Sequence, residues 1–302
     1  MALISKQFWQ WKEHTRKSMT RATQQREPGE TALIRGRATY YQLDEKSELP
    51  LLICIHGWTT ASYVWEPLRP RLQHKGYRVL TYDLFGRGFS DRPTADHTAE
   101  FFVRQLNDLL EHLKLNDQPF SVVGYSMGGA IAARFASERL HQIERLLLIA
   151  PAGMKVRSEW MRKVLRKNPR LLSPHVLALL PPVLRRTFRK EAAPYQHDPL
   201  VRKVVACQLR ELEYRGYLPS LLSSLNGVLS SKMEKEHRTI ARSGIPIRAI
   251  FAENDTTIPS KDARRLFDRW HGPGKSTIIA DAGHGVPYTH RKAVMTAAQG
   301  FL

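Results

Sequence analysis

Five residues set the terms for this chain: Gly124-Tyr125-Ser126-Met127-Gly128. An apolar run from Phe120 to Val123 reads as a buried strand and stops at Gly124. An Ala-rich helical pattern starts after Ser126 and carries on to Ala136. A G-x-S-x-G run between strand and helix has the layout of a nucleophile elbow, a turn so tight that the serine backbone is strained and its Oγ is held out. Glycine is needed on both flanks because a side chain there would meet the neighbouring strand or helix. Gly129, Ala130, Ala132 and Ala133 keep the start of the helix slim. The helix N-terminus then aims free N–H groups and its positive dipole end at the hydroxyl. A solvated serine in an ordinary tight turn has the same five residues, so the context must decide.

The context alternates. Residues 31–43 suggest one or two strands around Gly36, and Leu51–Ile55 is a continuous apolar run of the kind found in a parallel strand covered on both faces. His56-Gly57-Trp58 follows directly. A helix is expected over 65–75, a strand over Arg78–Tyr82, and a Gly-punctuated loop over 83–93. Residues 97–115 place Phe102, Leu106, Leu109, Leu110 and Leu113 at helical spacing. Another buried strand is expected at 145–150. From Gly153 to about Ser243 there is no strand-like run, only helical stretches broken by prolines. Alternation resumes with a strand at 246–251, a helix at 260–270, a strand at 276–280 and a last helix to the end of the sequence. Repeated βα units with right-handed crossovers predict an α/β fold: a mostly parallel central sheet with helices on both faces. The expected organisation is an N-terminal basic and aromatic segment over 1–30, a core over 31–152 and 244–302, and an inserted helical lid over 153–243.

Charge adds to this picture. The chain carries 47 Lys and Arg against 28 Asp and Glu, a formal +19 with pI about 10.2. Residues 155–242 hold 19 of the basic and 7 of the acidic residues, so most of the excess sits in the insertion. Such a balance favours anionic surfaces, phospholipid or nucleic acid. No nucleic-acid motif accompanies it, so no nucleic-acid partner is expected. Phe8, Trp9 and Trp11 among Lys6, Lys12, Arg16 and Lys17 suit either a helix packed on the body or a membrane interface. No transmembrane span and no signal-peptide layout are apparent, and Cys54 and Cys207 read as reduced structural thiols. The expected location is cytoplasmic, peripheral to a membrane face at most.

A serine hydroxyl needs a base, and the base needs a group that orients it. After the strand at 246–251 comes Glu253-Asn254-Asp255, and after the strand at 276–280 comes Asp281-Ala282-Gly283-His284. Both loops leave the carboxyl ends of strands, as the elbow does, and ligands sit at that edge in open α/β sheets. With His56-Gly57-Trp58, the run from Asp83 to Asp91, the elbow and the pair Asp255 and His284, the chain resembles the α/β-hydrolase superfamily, in its lid-bearing serine esterase/lipase branch. The likeness covers residues 32–302 apart from the insertion. It implies Ser126 as nucleophile, His284 as base, Asp255 as orienting acid, and the backbone N–H groups of Trp58 and Met127 as an oxyanion hole. Trp58, Tyr125 and Met127 are expected beside the substrate pocket. Glu253 is the rival acid and His290 the rival base. His56, Asp83 and Arg87 are expected to brace the loops.

The function implied is a carboxylic-ester hydrolase for acyl esters or monoacylglycerol-like lipids, in weak contact with an anionic membrane surface. Trp160, Met161, Val164, Leu165, Leu171, Leu172, Val176, Leu177, Leu179 and Leu180 are candidates for a hydrophobic tunnel in the lid. No cofactor or metal is expected, since there is no Gly-rich phosphate loop and no clustered Cys/His spacing. Haloalkane dehalogenases and epoxide hydrolases carry an aspartate at the elbow, against Ser126. The C–C bond hydrolases of aromatic-ring degradation stay open as an alternative, although they usually have Asn at the position of Tyr125 and a glycine-rich turn where this chain has Trp58-Thr59-Thr60. A non-catalytic binding module on the same fold is the other alternative.

Overall fold

In the computed structural model, residues 13–24, 28–45, 48–154 and 174–302 are described, the side chains of 174–179 excepted. Eight strands form one sheet: β1 (Glu30–Ile34), β2 (Arg37–Leu43), β3 (Leu51–Ile55), β4 (Arg78–Tyr82), β5 (Phe120–Tyr125), β6 (Ile143–Ile149), β7 (Ile247–Ala252) and β8 (Ser276–Ile279). Their order is β1-β2-β4-β3-β5-β6-β7-β8. β1 and β2 pair antiparallel, as do β2 and β4; every later pair is parallel. The chain therefore runs outward from β3 to β4 and then crosses back to β5 on the other side. β3 and β5 lie side by side at this switch point, where the loops leaving their carboxyl ends diverge and open a crevice.

The period-2 alternation of the strands feeds two cores. Leu51, Ile53 and Ile55 of β3 and Phe120 and Val122 of β5 face one, with Phe102, Leu106, Ile131 and Phe135. Leu52, Cys54, Val123 and Tyr125 face the other, with Trp65, Leu68, Leu72 and Val286. The helices over these faces are α1 (Arg69–His74), α2 (Ala99–His112) and α3 (Met127–Glu138). Thr98 caps α2 by accepting the Phe101 N–H. The helix expected over 65–75 is shorter than its apolar pattern suggested. A 3-10 turn, Ser62–Trp65, comes first, and Pro70 sits in the opening turn of α1, where its missing N–H is not needed. Cys54 and Cys207 are both free, and burial raises both thiol pKa values, Cys207 to about 11, which keeps them protonated.

Between β6 and β7 the described residues are helical: α4 (Pro174–Ala192), α5 (Pro199–Glu211), α6 (Tyr217–Asn226) and α7 (Glu234–Ser243). α4 runs through Pro181 and Pro182, where the sequence suggested a break. The missing donors are offset by its packing face, Leu184, Phe188 and Ala192, which is buried. Leu184 and Phe188 join Leu212, Tyr217, Leu218 and Leu221 in a separate small core. Residues 13–24 lie across this unit and the loop after β4. Lys17 makes a parallel bridge to Tyr214, the Arg16 guanidinium donates to the Leu212 carbonyl, and Gln24 Nε2 donates to Phe89 O at 2.6 Å. Phe8, Trp9 and Trp11, and the tunnel candidates from Trp160 to Leu172, lie outside the described residues, as do the side chains of Val176, Leu177 and Leu179. Leu180 packs against the small core of the insertion. The C-terminal part holds α8 (Ser260–His271), α9 (Val286–Thr289) and α10 (Arg291–Ala297), so the single last helix expected from the pattern is two short ones. No described helix is long and apolar enough to cross a membrane.

Candidate active site

Ser126 stands between β5 and α3 at φ +53° and ψ −118°, a conformation that costs about 1–3 kcal/mol for a residue with a Cβ. Three backbone bonds hold it there: Ser126 N–H to Ile149 O, and Gly129 and Ala152 N–H to Ser126 O, all at 2.9 Å. The neighbouring glycines are required by contact. A Cβ on Gly128 would lie 2.1 Å from the Ile55 carbonyl oxygen, and one on Gly124 would lie 2.5 Å from the Gly128 oxygen. Gly57, across the switch point, brings the turn after β3 close enough that a Cβ there would touch the Tyr125 ring at 3.1 Å and Ser126 Cβ at 3.3 Å.

His284, in the loop after β8, places Nε2 2.9 Å from Ser126 Oγ. Its Nδ1 is 2.7 Å from Asp255 Oδ2. Asp255, in the loop after β7, accepts the N–H groups of Thr257 and Ile258 on its other oxygen, each at 2.7 Å. Since the carboxylate only accepts, Nδ1 carries the ring proton and Nε2 is left to accept from the serine hydroxyl. The Asp255 side chain is fully buried, and that of His284 is 15% exposed. Burial disfavours the imidazolium, but the Asp255 hydrogen bond and the charges of Asp255 and Glu191 outweigh it, so the His284 pKa lies above 6.5. This arrangement can take a proton from Ser126 and hold the resulting cation against a carboxylate.

The rivals are turned elsewhere. Glu253 accepts the Asp281 N–H at 3.1 Å, and His290 pairs with Tyr195 OH at 3.3 Å. His56 Nε2 accepts the Leu84 N–H at 2.9 Å and its Nδ1 donates to Gly57 O at 2.9 Å. Burial drives its pKa down to about 3, so it stays neutral and braces the turn. Arg87 is fully buried and spans three segments: Nε donates to Trp58 O at 3.1 Å, Nη1 to Phe85 O at 3.1 Å, and Nη2 to Ser224 Oγ of α6 at 2.8 Å. Asp83 accepts the N–H groups of Ser62 and Phe89. Trp58 packs against both the main core and the insertion, and its indole N–H donates to Leu221 O. Met127 opens α3, so its N–H has no partner within the helix, while its side chain is buried in the main core. Tyr125 is packed in the second core, and its hydroxyl donates to the His284 carbonyl at 3.0 Å.

One contact had no signal in the sequence. Glu191, at the end of α4, accepts the Gly285 N–H on one carboxylate oxygen and the Tyr288 hydroxyl, at 3.2 Å, on the other. No group of three or more His, Cys, Asp or Glu among the described residues is placed to hold a metal ion.

Residues 50–290 match the family model for the alpha/beta hydrolase fold. This chain belongs to that family. Among curated relatives of this α/β-hydrolase, an uncharacterized protein of Mycobacterium tuberculosis is 31% identical over 105 residues, 35% of this chain and 30% of that protein. The α/β-hydrolase thus aligns with under a third of the length of the first relatives it matches. A 2-hydroxy-6-oxo-2,4-heptadienoate hydrolase of Pseudomonas putida is 25% identical over 265 residues, 83% of this chain and 88% of that protein. A solved hydrolase from Pseudomonas aeruginosa superposes with a TM-score of 0.71 over 91% of this chain and 98% of its own, at 20% identity, a likeness of fold.

Proposed function

We propose that this α/β-hydrolase is a serine hydrolase that cleaves carboxylic esters, acyl esters or monoacylglycerol-like lipids, through an acyl-enzyme. The observation that carries the reading is the unbroken hydrogen-bond path from Asp255 through His284 to Ser126 Oγ. Ser126 Oγ attacks the ester carbonyl carbon while His284 Nε2 takes its proton. The carbonyl oxygen becomes an oxyanion, received by the backbone N–H groups of Met127 and Trp58, each such donor contributing about 2.7–4 kcal/mol. The tetrahedral species collapses, the C–O bond to the alcohol breaks, and His284 returns the proton to the leaving oxygen. Water, deprotonated in turn by His284, attacks the acyl-enzyme and releases the acid and Ser126.

The helical insertion, 153–243, serves in this reading as a cap over the site. The outer side of α4 presents Arg185, Arg186, Arg189 and Lys190, all exposed, beside Val183 at 58% exposure. That face suits weak docking on anionic phospholipid, each basic residue near the surface contributing ~1 kcal/mol. Flotation with and without anionic lipid at low salt tests it; equal recovery in both removes the docking.

A second reading follows from the alignment over 83% of the chain with a 2-hydroxy-6-oxo-2,4-heptadienoate hydrolase: cleavage of a C–C bond by the same three residues. One experiment separates the two. p-Nitrophenyl esters of two to sixteen carbons (a series about as wide as such pockets) are assayed with wild type and Ser126→Ala, alongside fluorophosphonate labelling. Turnover and labelling that both vanish with Ser126 support the ester hydrolase. Labelling without ester turnover keeps the nucleophile and moves the reaction to C–C or amide bonds. A folded protein with neither refutes both.

A further inference from the structure

Glu191 lies on the insertion, 94 residues before the backbone N–H it binds. Helix α4 ends at Ala192, so the carboxylate is delivered from the last turn of a helix that otherwise packs on the insertion's own core. Its two oxygens take different partners. One accepts the N–H of Gly285, the residue directly after His284; the other accepts the hydroxyl of Tyr288. Tyr288 is 1% exposed, and a Cβ on Gly285 would lie 2.5 Å from its ring and hydroxyl. Glu191, Gly285 and Tyr288 therefore form a closed clasp against the loop that carries the base.

We infer that Glu191 is a positioning residue for His284: its carboxylate fixes the His284 loop through Gly285 and adds a second negative charge that favours the imidazolium, an effect tied to this one side chain and not to the seating of the cap as a whole. This rests on the serine-hydrolase reading above. Among the described residues, the groups placed against His284 and its loop come from separate elements. Asp255 comes from the loop after β7, Ser126 from the elbow, and Tyr125 from β5, its ring 5.4 Å from the imidazole and its hydroxyl on the His284 carbonyl. Glu191 comes from α4, and Tyr288 of α9 donates to its second oxygen. Arg189 and Lys190 of α4 are on the exposed side. Among these the negative charges are Asp255 and Glu191, and both favour the imidazolium. Asp255 binds the ring directly, whereas Glu191 acts through the backbone and through space.

The insertion has a separate tie to the C-terminal helices, which supplies a control. Asp198, which caps α5, forms an ion pair with Arg291 of α10. Asp198→Asn weakens the seating of the cap without touching the His284 loop. Glu191→Gln keeps an oxygen for the Gly285 N–H and removes the charge. The readout is the rate of fluorophosphonate labelling of Ser126, and of ester turnover, from pH 5 to 9 (a window about the ordinary range of histidine). Glu191→Gln is expected to move the acidic limb of both profiles to lower pH and to lower the plateau several-fold. Asp198→Asn is expected to raise KM with the limb unmoved. A Glu191→Gln limb that coincides with wild type, or an equal displacement in Asp198→Asn, overturns the inference and leaves the serine-hydrolase reading standing. Wild type that does not label at any pH overturns both. Labelling that responds as expected without ester turnover keeps Glu191 in its role and removes only the ester.

Discussion

The indole N–H of Trp58 donates to the carbonyl oxygen of Leu221 at 2.9 Å. It joins the turn after β3, which carries one of the proposed oxyanion donors, to helix α6 of the insertion. Arg87 reinforces the joint from behind, holding Trp58 O with one nitrogen and Ser224 of the same helix with another. Trp58→Phe keeps most of the ring packing and removes this bond between the turn and α6. The expected result is a loss of about 1 kcal/mol of stability, a Tm lower by roughly 2–4 °C, and a raised KM. A melt and an ester assay that both match wild type would show the bond to be incidental.

Asp255→Asn tests the orienting acid. The amide oxygen can still receive the Thr257 and Ile258 N–H groups, so the loop is expected to fold as before. The amide N–H₂ would face His284 Nδ1 and favour the tautomer with the proton on Nε2, which cannot accept from Ser126. The expected loss in kcat is on the order of 10⁴. Steady-state rates decide it, and a loss under about tenfold would remove Asp255 from the reaction.

Gly128→Ala asks whether the elbow tolerates a single methyl. The new Cβ would sit 2.1 Å from the Ile55 oxygen, a backbone atom of β3 with no rotamer to yield. Urea unfolding is expected to show a loss above about 4 kcal/mol, or no soluble protein at all. A variant within ~1 kcal/mol of wild type would mean that β3 and α3 separate more easily than the contact implies.

Acid should weaken the fold through a pair of histidines far from the site. His237 Nδ1 and His271 Nε2 are 2.9 Å apart, joining α7 to α8, and the other nitrogen of each ring is buried without a partner. Burial first, then His271 for the one ring and Lys275 for the other, push His237 down to about 3 and His271 to about 4. Both values lie below the unfolded 6.5, so the unfolded chain binds more protons once the pH falls under 6.5. Their contribution is intact above that pH and is lost progressively toward 4, at up to ~1.4 kcal/mol per pH unit for each ring. Unfolding midpoints from pH 7.5 to 5 should therefore fall more steeply in wild type than in His237→Phe/His271→Phe. His56 and His97 are shifted the same way and leave a residual slope in the double variant. Equal slopes would exclude the pair as a source of acid sensitivity.

What could be read from the sequence was what is written locally. Leu51–Ile55 and Arg78–Tyr82 are strands because their apolar runs end at His56 and at Asp83. Ser126, Asp255 and His284 were legible because each follows a strand at the same edge of a parallel sheet, which topology alone brings together. Glu191 was not. Its partners are a backbone N–H and a phenol almost a hundred residues away, and neither leaves a pattern around position 191. Pro181 and Pro182 misled in the opposite direction, since a local rule about broken helices gave way to the buried face of α4. Packing of the N-terminal segment on the body was one of two readings the sequence offered; that residues 13–24 meet the insertion was illegible, because bridges such as Lys17 to Tyr214 are made by backbone that any sequence possesses.

The backbone of Ser126 stands at φ +53°, where glycine rests without strain. Ser126→Gly would relax the turn and delete the hydroxyl together. Under selection for heat resistance or solubility alone, drift at this position has a downhill direction, and it leads away from the chemistry. A library screened only for survival is then expected to be enriched in copies that lack the hydroxyl proposed here as the nucleophile, and so to be idle in the proposed reaction.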